Sequence, residues 1–160
     1  MEIVKKPDPI LSKKTKDIVK IDDSVKDVIV RLWKTHKENA CLGVAAPQIG
    51  ISLNVTVIGF EPNTQDEKKT DRYKDMRPIP RTVLITPKII SHSKEKFIEK
   101  EACLSVEKEE ADIPRYKVVQ IEYLDEAGRK QKMKAKGFVA RVVQHEIDHL
   151  QGKTIADYRQ

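Results

Sequence analysis

Five residues near the end of this 160-residue chain, His145-Glu146-Ile147-Asp148-His149, constrain its folding more than any other feature. At about 3.6 residues per turn, histidines four apart lie nearly above one another and can grip one ion from a single helix face. Glu146 points beside them, where a carboxylate can take a proton from water activated by that ion. Val139, Val143, Ile147 and Leu150 form a separate apolar stripe on the same predicted helix, Phe138 to Leu150, so the histidines are free to face a site. A catalytic centre of this kind takes three protein ligands and keeps one position open. Only 11 residues follow His149, and their sole acid is Asp157. Gly152 is present, but Ile155 stands where one class of zinc protease has its third histidine. The third ligand must therefore come from upstream, and the fold must carry a distant segment back to this helix.

His36, His92, an acid or a cysteine could supply it. His36 falls in a predicted amphipathic helix and His92 in a lysine-rich stretch, and both read as surface residues. Cys103 sits among small and apolar neighbours in Glu101-Ala102-Cys103-Leu104-Ser105-Val106. A lone cysteine there is ordinarily inert core. A histidine pair lacking its partner tips the choice toward Cys103, and a thiolate with two imidazoles suits ferrous iron or zinc.

The remaining sequence reads as one α+β domain over 1–160. Residues 1–20 resemble an extended arm laid on the surface. Residues 24–39 form a helix with Val25, Val28, Ile29, Leu32 and Trp33 on one stripe and a Ser24/Asp27 capping box. A small-residue loop, Leu42 to Gln48, precedes a strand at Val55–Ile58. Residues 61–80 are a polar excursion. Strands resume at 83–85, 88–90, 118–124 and 129–135, the last two joined by an Asp125-Glu126-Ala127-Gly128 turn. Lys130, Lys132, Lys134 and Lys136 share one strand face, read as solvated rather than as a specific nucleic-acid site. The formal charge is +6 and the two cysteines are too few for a disulfide scaffold, so a reducing, cytoplasmic setting is expected. Neither a signal peptide nor a membrane-spanning run is read from the sequence.

Three motifs in order are similar to those of the peptide deformylases, which remove the N-formyl group from nascent chains. Cys41-Leu42-Gly43-Val44-Ala45-Ala46-Pro47-Gln48 resembles the family's GxGxAAxQ, Glu101-Ala102-Cys103-Leu104-Ser105 its EGCLS, and Gln144 to Leu150 its QHExDHL. Ile3-Val4, Pro7-Asp8-Pro9 and Leu11 resemble the family's opening. The resemblance implies antiparallel sheets around a central helix that carries the histidines. It implies metal on Cys103, His145 and His149, with Fe²⁺ first and Zn²⁺, Ni²⁺ or Co²⁺ as substitutes. Glu146 would be general base and then acid, while the Gln48 amide and the Leu104 N–H would face the formyl oxygen. The substrate backbone would bond near Leu42 and Ala102, with Gly43 allowing close approach. Its methionine would enter a pocket offered by Phe138, Arg141 and Val142. Glu101 would pair with Arg115 of Ile113-Pro114-Arg115 to brace the Cys103 loop.

Cys41 and Ala102 depart from the family's glycines, and Glu110 stands where many relatives carry arginine. The chain ends at Gln160, without the C-terminal helix of some members. The expected partners are N-formylmethionyl peptides and nascent chains, with transient ribosome proximity and a monomeric state. A metallopeptidase acting on another peptide, and a non-catalytic module with a closed metal site, are the alternatives.

Overall fold

The computed structural model describes residues 2–61 and 77–158. Most of the 61–80 excursion lies outside them; its last two residues, Ile79 and Pro80, already belong to a strand. Seven strands are present: β1 (Gly43–Ala45), β2 (Val55–Phe60), β3 (Ile79–His92), β4 (Lys96–Cys103), β5 (Val106–Tyr116), β6 (Val118–Leu124) and β7 (Lys130–Lys136). The order β1-β2-β3-β6-β7 makes one five-stranded sheet, and β4-β5 pair only with each other. Every ladder is antiparallel. The described residues also form two α-helices: α1 (Asp23–Asn39) and, late in the chain, α2 (Gly137–Leu150), which carries both histidines of the motif. Neither is long and apolar enough to cross a membrane.

Alternation along β2 and β3 decides where the helices go, because neighbouring residues of a strand face opposite ways. Val55, Val57, Val83 and Ile85 pack with Val25, Val28, Ile29 and Leu32 of α1. The intervening Ile58 and Leu84, with Val119 and Ile121 of β6, pack with Ala140, Val143 and Ile147 of α2. The helices thus cover opposite faces of the large sheet. Each fully buried aliphatic side chain in these layers stabilises the fold by about 1.5–3 kcal/mol. A further tie joins α2 to β5, where the Gln144 amide accepts from Tyr116 N–H at 3.0 Å and donates to Tyr116 C=O at 2.9 Å.

Several expectations are corrected. The cap of α1 is Asp22 rather than Ser24: the helix starts at Asp23, and the Asp22 carboxylate accepts from Val25 N–H at 3.2 Å. The loop after Leu42 contains β1, because Gly43, Val44 and Ala45 pair with Ile58, Val57 and Thr56. The separate 83–85 and 88–90 strands are one element, bent at Thr86, whose φ is 47°, where the pairing changes from β2 to β6. The N-terminal arm is anchored as well as surface-laid, with Ile3, Leu11 and Ile18 buried. The β4-β5 hairpin is absent from the sequence reading; charged Glu101 and Arg115 are interspersed with Cys103, Val106 and Ile113 on its buried face, so no apolar alternation marks it.

Candidate metal centre

The β4-β5 hairpin and α2 bring the candidate ligands together. Cys103 ends β4, and His145 and His149 face it from successive turns of α2. Their ligand atoms all lie within 4.8 Å of one another. His149 Nε2 is 3.2 Å from His145 Nε2 and 3.3 Å from Cys103 Sγ. Bonds of about 2.0–2.1 Å to nitrogen and 2.3 Å to sulfur, at tetrahedral angles, would set such donors about 3.3–3.6 Å apart. The trio therefore fits a divalent cation. Burial opposes charge on His145, but hydrogen bonds to Cys103 and Glu101 push it up to about 10. Burial, reinforced by the charges of His145 and Arg115, holds His149 well below its ordinary range. A bound cation would displace the His145 proton, because imidazole ligates only in its neutral form.

His36 and His92 are engaged elsewhere. His36 is half-buried rather than on the surface, with Nε2 2.9 Å from Gly59 C=O. Its pairing with the end of β2 is a long-range contact that helix periodicity does not reveal. His92 is exposed and stacks on Tyr116.

Glu101 orients the centre. Its Oε2 lies 2.8 Å from His145 Nδ1, so the ring presents Nε2 to the other donors. Arg115 grips the same carboxylate with both prongs, Nε to Oε1 at 2.9 Å and Nη2 to Oε2 at 2.8 Å. Burial would raise the Glu101 pKa, but hydrogen bonds from Arg115 and His145 hold it at about 2. Arg115 also donates to Asp148, which accepts from Tyr158 Oη at 2.8 Å. Arg141 is among the residues lining the adjoining cavity. Its guanidinium, however, donates to Glu101 Oε1 at 2.6 Å, Ile113 C=O at 3.0 Å and Phe97 C=O at 3.0 Å. These bonds tie α2 to the hairpin.

Glu146 lies on the cavity side of α2 and is buried. Burial pushes its carboxyl up to about 7, against the opposing effects of the His145 charge and a hydrogen bond from Thr56. Thr56 Oγ1 lies 3.1 Å from Glu146 Oε2 and 2.9 Å from Val44 C=O, so its one proton is shared between these two acceptors. This residue escaped the sequence reading, although a threonine within the buried run Val55–Ile58 needs a polar partner. Ser105 was missed likewise. Gln48 is held in a 3-10 turn after β1, where its Oε1 accepts from Ala45 N–H at 2.9 Å. That bond turns Nε2 toward Ser105 Oγ, 3.3 Å away, and Cys103 Sγ, 3.8 Å away.

A cavity of about 290 Å³ opens beside these groups, lined among others by Leu42, Gly43, Gln48, Ala102, Leu104, Phe138 and Val142. Cys41 lines it too, its thiol pushed up to about 12 by burial and then by the Glu146 charge, so it is a neutral wall. Ala102 is exposed on β4, directly opposite Glu110 of β5.

An α+β domain of antiparallel sheets, with a buried carboxylate beside a three-donor metal centre and an open cavity, defines a metal-site hydrolase. A family model described as polypeptide deformylase matches residues 1–160. A peptide deformylase of Dictyoglomus thermophilum is 41% identical over 156 residues, covering 98% of this chain and 90% of the relative. The structure of peptide deformylase from Ehrlichia chaffeensis aligns at TM-score 0.86 and 34% identity, covering all of this chain and 88% of that one. A Met-Ala-Ser-bound peptide deformylase from Acinetobacter baumannii aligns at TM-score 0.89 and 29% identity, covering 98% and 96%. The chain belongs to the polypeptide deformylase family.

Proposed function

We infer that this centre hydrolyses the N-formyl group of N-formylmethionyl peptides and nascent chains, releasing formate and a free amino terminus. The observation that carries the reading is the convergence of Cys103, His145 and His149 beside Glu146. When bound, a cation supplies a Lewis acid that activates water at neutral pH. Fe²⁺ is the first choice for this thiolate and imidazole set, with Zn²⁺, Ni²⁺ or Co²⁺ able to substitute. The rest of the chemistry falls to side chains of this chain.

Glu146 takes a proton from the attacking water as its oxygen bonds to the formyl carbon. It then gives that proton to the amine nitrogen as the C–N bond breaks. A carboxyl poised at about 7 suits both roles. Negative charge gathers on the formyl oxygen in the transition state, where the Gln48 amide and the Leu104 N–H stabilise it. Gln48 is pre-oriented for this, since Ala45 occupies its carbonyl and leaves the NH₂ toward the centre. Leu42, Gly43 and Ala102 line the path of the substrate backbone, and Phe138 and Val142 offer apolar surface to an unbranched thioether. Arg141 lines the same cavity while its guanidinium holds the hairpin, and Glu101 with Arg115 steadies His145.

On this reading 1–160 acts as one catalytic domain and α2 is its central helix, between the large sheet and the hairpin. The protein works as a monomer in the cytoplasm, within reach of the ribosome. Formate release from a formyl-Met peptide by metal-loaded protein is the test. Turnover that disappears in Glu146→Ala supports the reading; no turnover in the metal-loaded native chain overturns it.

A further inference from the structure

Residues 4–6 cross the two segments that hold the oxyanion donors. Val4 N–H donates to Gln48 C=O at 2.9 Å, and Lys6 N–H donates to Ser105 C=O at 2.9 Å. Between them, Lys5 Nζ donates to Leu104 C=O at 2.6 Å. Strand pairing does not join these segments: the Gln48 turn follows β1 of the large sheet, while Leu104 and Ser105 close the separate β4-β5 hairpin. Inside the protein they meet at Gln48 Nε2 and Ser105 Oγ. The arm is itself fixed, by buried Ile3 and Leu11 and by Lys6 Nζ donating to Ser12 Oγ at 2.8 Å.

We propose that Lys5 is a positioning residue for this reaction, fixing the Leu104 turn against the Gln48 turn so that both donors meet one oxygen. The proposal rests on the oxyanion roles given above to Gln48 and Leu104. Two arm amides hold Gln48 and Ser105 by their carbonyls, and the Lys5 ammonium, itself partly exposed, supplies the hydrogen bond from residues 4–6 to Leu104. The Leu104 N–H and C=O belong to adjacent peptide units joined at one Cα, so holding the carbonyl limits where the N–H can point. A donor slightly off line binds the ground-state carbonyl almost as well but the developing oxyanion much less well, so its loss falls on kcat rather than KM. Lys5 also pairs with Glu107 at 3.1 Å, and that partly exposed pair carries no positioning role.

Kinetics of Lys5→Met, Lys5→Arg, Glu107→Gln and Gln48→Ala with a formyl-Met peptide test this, each alongside metal content and thermal midpoint. Lys5→Met should lower kcat about tenfold with KM within about twofold, at unchanged metal content and midpoint. Lys5→Arg, still able to reach the carbonyl, should recover most of the rate, and Glu107→Gln should match the native chain. Lys5→Gln replaces Lys5→Met if the latter does not fold, with the same expectation. Native kcat in Lys5→Met, or a loss shared by Glu107→Gln or matched by lost metal or midpoint, overturns the proposal. If Gln48→Ala lowers kcat while Lys5→Met does not, the positioning role fails alone; if Gln48→Ala leaves kcat unchanged, the oxyanion assignment fails first.

Discussion

The Glu146 carboxylate lies against the backbone of Gly43: a methyl on Gly43 would stand 2.6 Å from Glu146 Oε1 and 2.8 Å from its Cγ. Gly43 is in β1, paired with Ile58, so alanine suits its extended backbone and the conflict is with the side chain alone. Gly43→Ala should therefore fold and bind metal, yet lose about a hundredfold in kcat as the base is pushed off line. Steady-state kinetics with metal analysis check this; native kcat would show that Glu146 tolerates displacement.

In the proposed mechanism Glu146 is a base only when ionised, so the rate should rise with pH through its pKa and fall below it. Burial sets that value at about 7 in the metal-free chain, and a cation beside it draws it lower. Thr56 stabilises the ionised form by donating to Oε2. Thr56→Val should move the acid limb of the kcat/KM profile upward by about half to one pH unit. A limb that stays in place would separate Thr56 from proton transfer.

The brace around Glu101 predicts acid sensitivity of the fold. Its folded pKa, about 2, lies below the ordinary 4.5, so ionised Glu101 contributes stability that is fully present above about 4.5. That contribution, on the order of 3 kcal/mol, fades as pH falls from about 4.5 toward 2. Glu101→Gln should flatten this part of the stability profile. It should also weaken metal retention about 10–100-fold, because His145 loses its orienting acceptor. Denaturant midpoints against pH and chelator competition measure the two effects.

Removal of the metal by a chelator should abolish turnover, and readdition should restore it. Cys103→Ser should keep the fold but retain metal more weakly, since a hydroxyl replaces a soft thiolate. An iron-loaded preparation should lose activity in air while a zinc-loaded one persists. Equal decay of both would point away from oxidation of the iron and toward a process common to both preparations, such as oxidation of Cys103.

The site was legible where its spacing is local. His145, Glu146 and His149 sit within one helical span, and Cys103 followed from the lack of a downstream ligand together with motif order. The β6-β7 hairpin was legible too, from alternation around the Asp125–Gly128 turn; its ladder runs from Val118↔Lys136 to Leu124↔Lys130. What escaped was long-range or unpatterned. Thr56 and Glu146 are 90 residues apart, and Lys5 and Leu104 are 99 apart. No periodicity relates such pairs. The β4-β5 hairpin escaped because Lys96, Glu99 and Lys100 face solvent around a partly covered Phe97, so neither face reads as apolar. Arg141 does line the cavity, but the carbonyls its guanidinium meets belong to that same hairpin, so those bonds were not legible.

The row of exposed lysines on β7 has a bearing on how these molecules meet one another. β7 is a border of the five-stranded sheet, and such a border could recruit a strand from a neighbouring molecule and begin stacking. Lys130, Lys132, Lys134 and Lys136 stand along it on the solvent face. A second molecule offering its own β7 would bring like charges together at every other residue, so crowding disfavours sheet-to-sheet growth from this side.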